Sequence, residues 1–215
     1  MEHKLKILEI EFVTHDVKRF IVEKPKGFSF IPGQYTMIEM NGFEKKKPFT
    51  ITSLNEDLVL EFMIKIYEER DGFTKKLDSL KPGDEITIED ASGKLNYKGH
   101  GLFIAAGTGI TPFIAVFRQL KKEGKLQGNK LIFSNKTFED IILDDELRNM
   151  FKENATFVLT REEVKGFHYG RIDEEFLKEK AKGFGWFYVC GPKEFTLNMR
   201  QILNKFGVEN DKIIT

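Results

Sequence analysis

The chain has 215 residues, 40% apolar and 32% charged, and its 34 basic and 34 acidic side chains cancel. That composition suits one large or two modest globular domains, and its neutrality excludes bulk electrostatic attraction to nucleic acid, which rests on neutralised phosphates. No apolar run approaches the roughly 20 residues that span a bilayer and the opening MEHKLKILEIEFV lacks a signal-peptide core, so a cytoplasmic protein without membrane insertion is expected.

Up to about Gly93 the signals are those of strands. KLKILEIEFV, KRFIVEKP, QYTMIEM, PFTITSL, DLVLEFMIKIY and DEITIED are β-rich runs separated by turn residues such as Pro-Gly and Gly-Asp. Strands at that spacing predict a small antiparallel β-barrel or sandwich. One helical stretch interrupts them, over Gly72–Leu80, where FTKKLDSL has a helical rhythm.

After Gly101 the texture changes. GLFIAA, NKLIFS, ATFVLT and GWFYVC look like buried strands, and segments of helical period fall at Thr111–Glu123, Asp144–Phe151, Asp173–Lys180 and Glu194–Phe206. Strand and helix in alternation predict a parallel α/β sheet with right-handed crossovers. The expected fold is therefore β + α/β, a six-stranded antiparallel barrel over residues 1–97 followed by a nucleotide-binding α/β domain over 98–215. The boundary falls near Lys94–Gly99 with no long linker.

Three fragments carry chemistry. Phe103-Ile-Ala-Ala-Gly-Thr-Gly-Ile-Thr-Pro-Phe113 ends an apolar strand in two glycines, Gly107 and Gly109, before a helix. A strand-to-helix turn of this kind presents free backbone N–H groups and a positive dipole, a site suited to pyrophosphate. The glycines let the backbone approach a ligand, and Pro112 fits the first turn of a helix. The third glycine of the dinucleotide fingerprint is absent, so a plain tight turn stands as the alternative. Phe187-Tyr-Val-Cys-Gly-Pro192 is a second strand ending before a helix, and in an open sheet such loops converge at the carboxyl edge. Cys190, the one cysteine, is there either a buried small hydrophobe or a soft group beside a planar ring. One cysteine excludes a disulfide framework and a cluster held by the chain's own thiolates. The four histidines are scattered and give no metal signature.

The third fragment lies in the strand-rich half: Lys47-Pro48-Phe49-Thr50-Ile51-Thr52-Ser53. Alternation puts Lys47, Phe49, Ile51 and Ser53 on one face and Thr50 and Thr52 on the other. It is either a half-exposed strand or a site offering a cation for phosphate, an aromatic for a planar ring and a hydroxyl for a ring nitrogen. The run Lys45-Lys46-Lys47 is a solvated loop or a local basic patch.

These fragments, in this order, resemble the ferredoxin–NADP reductase superfamily over essentially the whole chain. The family's flavin strand usually reads Arg-x-Tyr-Ser/Thr-x-x-Ser, matched here by Lys47–Ser53. A second flavin segment is similar to Met63-Ile-Lys65-Ile-Tyr67 followed by Asp71-Gly-Phe-Thr-Lys-Lys-Leu77. GTGITP and CGP resemble its nicotinamide-cofactor motifs. The resemblance implies FAD and either NADPH or NADH as cofactors. It implies Lys47 and Pro48 at an FAD phosphate, Phe49 on the isoalloxazine or ribityl face, and Thr50 near flavin N5 with a catalytic role. Met63, Lys65, Gly72, Phe73 and Thr74 would complete the flavin site, the last three against the pyrophosphate, with Thr111 and Pro112 close by. Gly107, Thr108 and Gly109 would cradle the nicotinamide dinucleotide's pyrophosphate. Cys190, Gly191 and Pro192 would shape the nicotinamide pocket, Cys190 beside the reacting ring. Asn135, Lys136, Thr160 and Arg161 would serve the adenosine end, where Arg161 leans the expectation towards NADPH and Glu162 and Glu163 lean against it.

The departures from the pattern are specific. Lysine for arginine replaces a planar fork by a point charge, and phenylalanine for tyrosine keeps the stacking face but loses a hydroxyl. The tail Glu209–Thr215 lacks the aromatic that covers the flavin in many relatives. The activity implied is hydride transfer from NAD(P)H to FAD, then electron transfer to a redox protein such as ferredoxin, flavodoxin or a haem or iron–sulfur partner. The alternatives are a free-flavin or ferric-chelate reductase and a non-catalytic flavin-binding subunit.

Overall fold

Alternating burial along the first strands builds an antiparallel sheet around one core. In β1 (Glu2–Phe12) Leu5 and Ile7 point inward, and in β2 (Val17–Glu23) Phe20 and Val22 do. β3 (Tyr35–Glu39), β4 (Lys47–Thr50), β5 (Val59–Lys65) and β6 (Glu85–Glu89) complete a six-stranded sheet in the order β4-β3-β6-β1-β2-β5. The computed structural model describes residues 1–40, 42–43, 45–69 and 72–215.

β4 is shorter than the expected strand, because past Thr50 the chain continues as a single antiparallel bridge from Ile51 to Phe62. The Thr52 N–H then donates to the Glu61 carbonyl at 2.9 Å. The two outer strands of the sheet, β4 and β5, therefore meet at this point. β5 explains why its sequence is apolar almost throughout. Leu60, Phe62 and Ile64 enter the core, while Glu61 and Met63 on the other face are buried as well, at 7% and 5% exposure. The short helix α1 (Phe73–Asp78) adds Phe73 and Leu77 to the same core.

The second half folds as expected into a parallel sheet. β7 (Gly101–Ala106), β8 (Lys130–Asn135), β9 (Ala155–Leu159) and β11 (Trp186–Cys190) are joined by the two-residue strands β10 (His168–Tyr169) and β12 (Ile213–Ile214), which are too short to leave a pattern in the sequence. The order is β10-β9-β8-β7-β11-β12. The helices are α2 (Thr111–Lys122), α3 (Asp144–Phe151), α4 (Glu174–Lys180) and α5 (Lys193–Lys205). Asp173 caps α4, its carboxylate accepting from Phe176 N–H at 2.8 Å, as helix starts prefer. Tyr188 is fully buried, and its hydroxyl donates to Gly99 O at 2.8 Å while accepting from the N–H groups of Lys98 and Gly99. A buried phenol needs such partners.

By contact the chain divides into two compact units. The first comprises Met1–Asn96 with Thr111–Gln119, and the second Tyr97–Ile110 with Leu120–Thr215. Most of α2 thus groups with the antiparallel sheet. Among the described residues no helix is long and apolar enough to cross a membrane.

Candidate cofactor sites

The second unit reverses its strand order beside β7: β8, β9 and β10 lie on one side of it, β11 and β12 on the other. Neighbouring parallel strands that diverge in connectivity leave a crevice at their carboxyl ends, where ligands bind in open sheets. β7 ends there in the turn Gly107–Ile110, and β11 ends in Cys190-Gly191-Pro192. The two loops touch. A Cβ on Gly109 would lie 2.4 Å from the Cys190 carbonyl oxygen and 2.6 Å from Gly191 Cα. One on Gly191 would lie 2.8 Å from the Phe195 ring and 3.0 Å from Ala106 Cβ. Gly107 has a positive φ of 52° and open space where a side chain would stand. Gly107, Thr108, Gly109, Cys190, Gly191 and Pro192, taken from distant parts of the sequence, are thus brought together. Burial pushes the Cys190 thiol up and favours its protonated form, partly offset by a hydrogen bond with the Gly191 backbone.

Beside these loops a cavity of about 560 Å³ is lined by Ser134, Thr160, Arg171, Ile172, Pro192, Glu194, Phe195 and Asn198. Of the residues expected at an adenosine end, Thr160 lines it. Lys136 and Arg161 are exposed and do not; Arg161 N–H donates to the Lys136 carbonyl at 2.9 Å. Asn135 is 5% exposed, and neither polar atom of its side-chain amide has a hydrogen-bond partner. Strand alternation turns it to the sheet face opposite Ser134. Arg171 was not legible in the sequence. It follows Gly170, whose φ is +126°, in an irregular segment without periodicity, and only the fold carries it to the cavity. It makes no ion pair among the described residues.

In the first unit β4 pairs with β3 so that Thr50 faces Tyr35 and Lys47 faces Ile38. Lys47 and Pro48 are exposed, Phe49 and Thr50 half-buried. The Phe49 ring stacks on Phe73 with centroids 5.8 Å apart and planes at 26°. This contact brings the β4 motif beside Gly72, Phe73 and Thr74 at the start of α1. Thr74 Oγ1 accepts from Tyr67 N–H at 3.4 Å; Asp71, in the same motif, lies outside the described residues. Lys65 pairs with Asp16, which occupies its charge within the sheet. In the lysine run, Lys46 is bound by Glu2, Glu89 and Glu39, and the carboxylates hold its ammonium above the usual lysine range. Thr111 is buried and Pro112 half-buried; the Pro112 carbonyl packs on Gly33, 3.4 Å from where a Cβ would stand.

Three hydroxyls follow one another in this strand, and the structure distinguishes them. Thr52 and Ser53 are 0% and 2% exposed and are both engaged by Glu61. Thr50 alone keeps a hydroxyl without a hydrogen bond among the described residues, as Lys47 keeps an unpaired ammonium. A free cation, an aromatic face and a free hydroxyl along four residues fit a flavin nucleotide. The glycine cradle between Ala106 and Cys190 fits a dinucleotide.

Known proteins agree with that division. Residues 4–97 match the family model of the oxidoreductase FAD-binding domain, and residues 103–201 that of the oxidoreductase NAD-binding domain. Cytochrome b5 reductase 4 of Bos taurus is 30% identical over 241 residues, covering 98% of this chain and 46% of that protein. The ferredoxin–NAD(P)(+) reductase component of the naphthalene 1,2-dioxygenase system of Pseudomonas putida is 23% identical over 96% of this chain and 66% of its own length. The crystal structure of a ferredoxin NADP+ reductase from Neisseria gonorrhoeae superimposes with a TM-score of 0.87 at 22% identity, over 99% of this chain and 97% of that one, and shows a shared fold. The chain spans about half the length of several curated relatives it matches.

Fold and family models together define an oxidoreductase class with an FAD-binding and an NAD-binding domain. Within that class the chain has the fold of the ferredoxin–NADP reductase superfamily.

Proposed function

We propose that this chain passes reducing equivalents from NAD(P)H to FAD and onward to a redox-protein acceptor of the ferredoxin, flavodoxin or cytochrome kind. The observation that carries the reading is the pair of sites: a β4 strand with free Lys47 and Thr50, and a Gly107–Gly109 turn closed against Cys190. Bound FAD supplies the conversion of a hydride into transferable electrons, which no side chain here can perform.

The chain's own residues bind, orient and exclude water. Lys47 meets a flavin phosphate as a point charge, and Phe49 gives an apolar face. Thr50 directs its hydroxyl at the reacting edge of the flavin ring, with Gly72, Phe73, Thr74, Met63 and Thr111 around it. The N–H groups of the Gly107–Gly109 turn hold a dinucleotide pyrophosphate, and Cys190, Gly191 and Pro192 wall the nicotinamide. At the adenosine end Thr160 and Arg171 meet the ribose, and the free Arg171 guanidinium supports NADPH over NADH. Glu162 is engaged elsewhere, its carboxylate accepting from Phe138 N–H at 2.7 Å, while Glu194 is the acidic residue that shares the cavity lining with Arg171. The relatives named as cytochrome b5 reductase and ferredoxin reductase component support a protein acceptor.

The test is an anaerobic titration of the FAD-loaded protein. Bleaching of the flavin spectrum by NADPH or NADH, followed by reoxidation by oxidised ferredoxin, flavodoxin or cytochrome, is expected. A bound flavin that neither nucleotide reduces would sink the proposal.

A further inference from the structure

A charged cluster built on Glu61 lies behind the chain that continues β4. Glu61 is 7% exposed, on β5. One carboxylate oxygen, Oε1, accepts from Thr52 Oγ1 at 2.7 Å and from Arg118 Nη1 at 2.6 Å. The other, Oε2, lies 3.8 Å from Arg19 Nη1. Arg118 Nη1 also donates to the Thr52 backbone carbonyl at 3.0 Å, Thr52 N–H donates to the Glu61 carbonyl at 2.9 Å, and Glu61 N–H donates to Ser53 Oγ at 3.1 Å. Thr52 is thereby held through its N–H, its carbonyl and its hydroxyl at once.

Such an anchor has a mechanical reason. β4 is an outer strand of four residues, laddered on one side to β3, and among the described residues the chain just past it is tied to β5 at Ile51 and Thr52. A short edge strand held on one side frays. The Glu61 cluster pins it two residues beyond Thr50. Arg118 stands on α2, two helical turns after Thr111, in the segment that groups with the antiparallel sheet. One guanidinium therefore ties the strand that carries Thr50 to the helix that carries Thr111.

We propose that Glu61 and Arg118 are positioning residues for flavin reduction: their contacts with Thr52 hold the Thr50 hydroxyl and the start of α2 in one rigid frame around the flavin. The inference rests on the assignment of Lys47–Thr50 to the flavin. Reacting groups must be held closely, since a displacement of about 1 Å costs on the order of a hundredfold in rate.

The experiment uses the FAD-loaded chain. The double variant Arg118→Met/Glu61→Gln removes both charges together, because removing one alone strands a buried ion. Thr52→Val removes one donor and leaves the ion pair. Flavin reduction at saturating NADPH is followed by stopped flow, beside FAD content, KM for the nucleotide and melting temperature. The expected result is reduction slowed about tenfold in the double variant, from loosened geometry, with KM unchanged and FAD retained, and a smaller slowing in the same sense for Thr52→Val. Reduction within twofold of wild type in the double variant, or no slowing at all in Thr52→Val, overturns the proposal when the variant folds and holds FAD. So does slowing that merely tracks melting temperature and vanishes on cooling. Lys47→Ala serves as the control on the underlying assignment: if it leaves FAD affinity unaltered, the flavin strand itself has been misplaced, and that failure is distinct.

Discussion

The Cys190 carbonyl oxygen lies 2.4 Å from where a Cβ on Gly109 would stand, so backbone meets backbone between two loops 81 residues apart in sequence (190 − 109). Gly109→Ala must therefore push the turn off β11. The expected cost is about 1–3 kcal/mol of stability, as for other overpacked sites, with a raised KM for the nicotinamide nucleotide and unchanged FAD content. Thermal melting and steady-state kinetics check it.

Thr50 has the only hydroxyl of its strand left without a partner among the described residues. Thr50→Val preserves shape and removes that donor. Flavin reduction is expected to slow on the order of 10- to 100-fold, the scale of losing one preorganised donor, while FAD content stays near normal. Unchanged stopped-flow rates would show that the hydroxyl has another task.

Lys47 meets a phosphate as a point charge. Lys47→Ala should weaken FAD binding by about 1.5–3 kcal/mol, the value of a charge-assisted hydrogen bond, and Lys47→Arg should strengthen it by restoring the bidentate fork. Fluorescence titration of the apoprotein with FAD measures both. The Lys47→Ala loss should shrink in high salt, because the site is exposed and screened.

Arg171 and Arg161 are separated by one comparison. The ratio of kcat/KM for NADPH over NADH should fall roughly tenfold or more in Arg171→Ala and stay near wild type in Arg161→Ala, which does not line the cavity. The reverse pattern would move phosphate recognition to Arg161.

Cys190 has a thiol raised by burial. A raised acid holds its proton in the folded chain at a pH where the unfolded chain has lost it. Stability from this group is therefore complete below the ordinary thiol value and falls as pH climbs from there towards the raised one. Wild type should lose stability over that alkaline window relative to Cys190→Ala. Iodoacetamide should label native Cys190 slowly at neutral pH, since the thiolate is the nucleophile. Denaturant melts across pH and timed alkylation test the two halves of the statement.

Much of this was written locally. The period-2 runs of the first half and the alternation of apolar runs with helical segments in the second encode burial directly, and Asp144–Phe151 appears with the bounds its periodicity predicts. Gly107, Gly109 and Pro112 announced a strand-to-helix turn because backbone conformation and steric access are properties of the residue itself. Partners far apart in sequence were decided only by the fold. Nothing near Glu61 names Arg118, 57 positions on, or says that it draws Thr52 into the interior and leaves Thr50 free. Nothing near Arg171 says that Ser134 of β8 and the start of α5 will enclose a cavity beside it. Pattern records which face of an element is buried, whereas the group that meets a side chain there is set by which elements pack together, and that choice belongs to the whole chain.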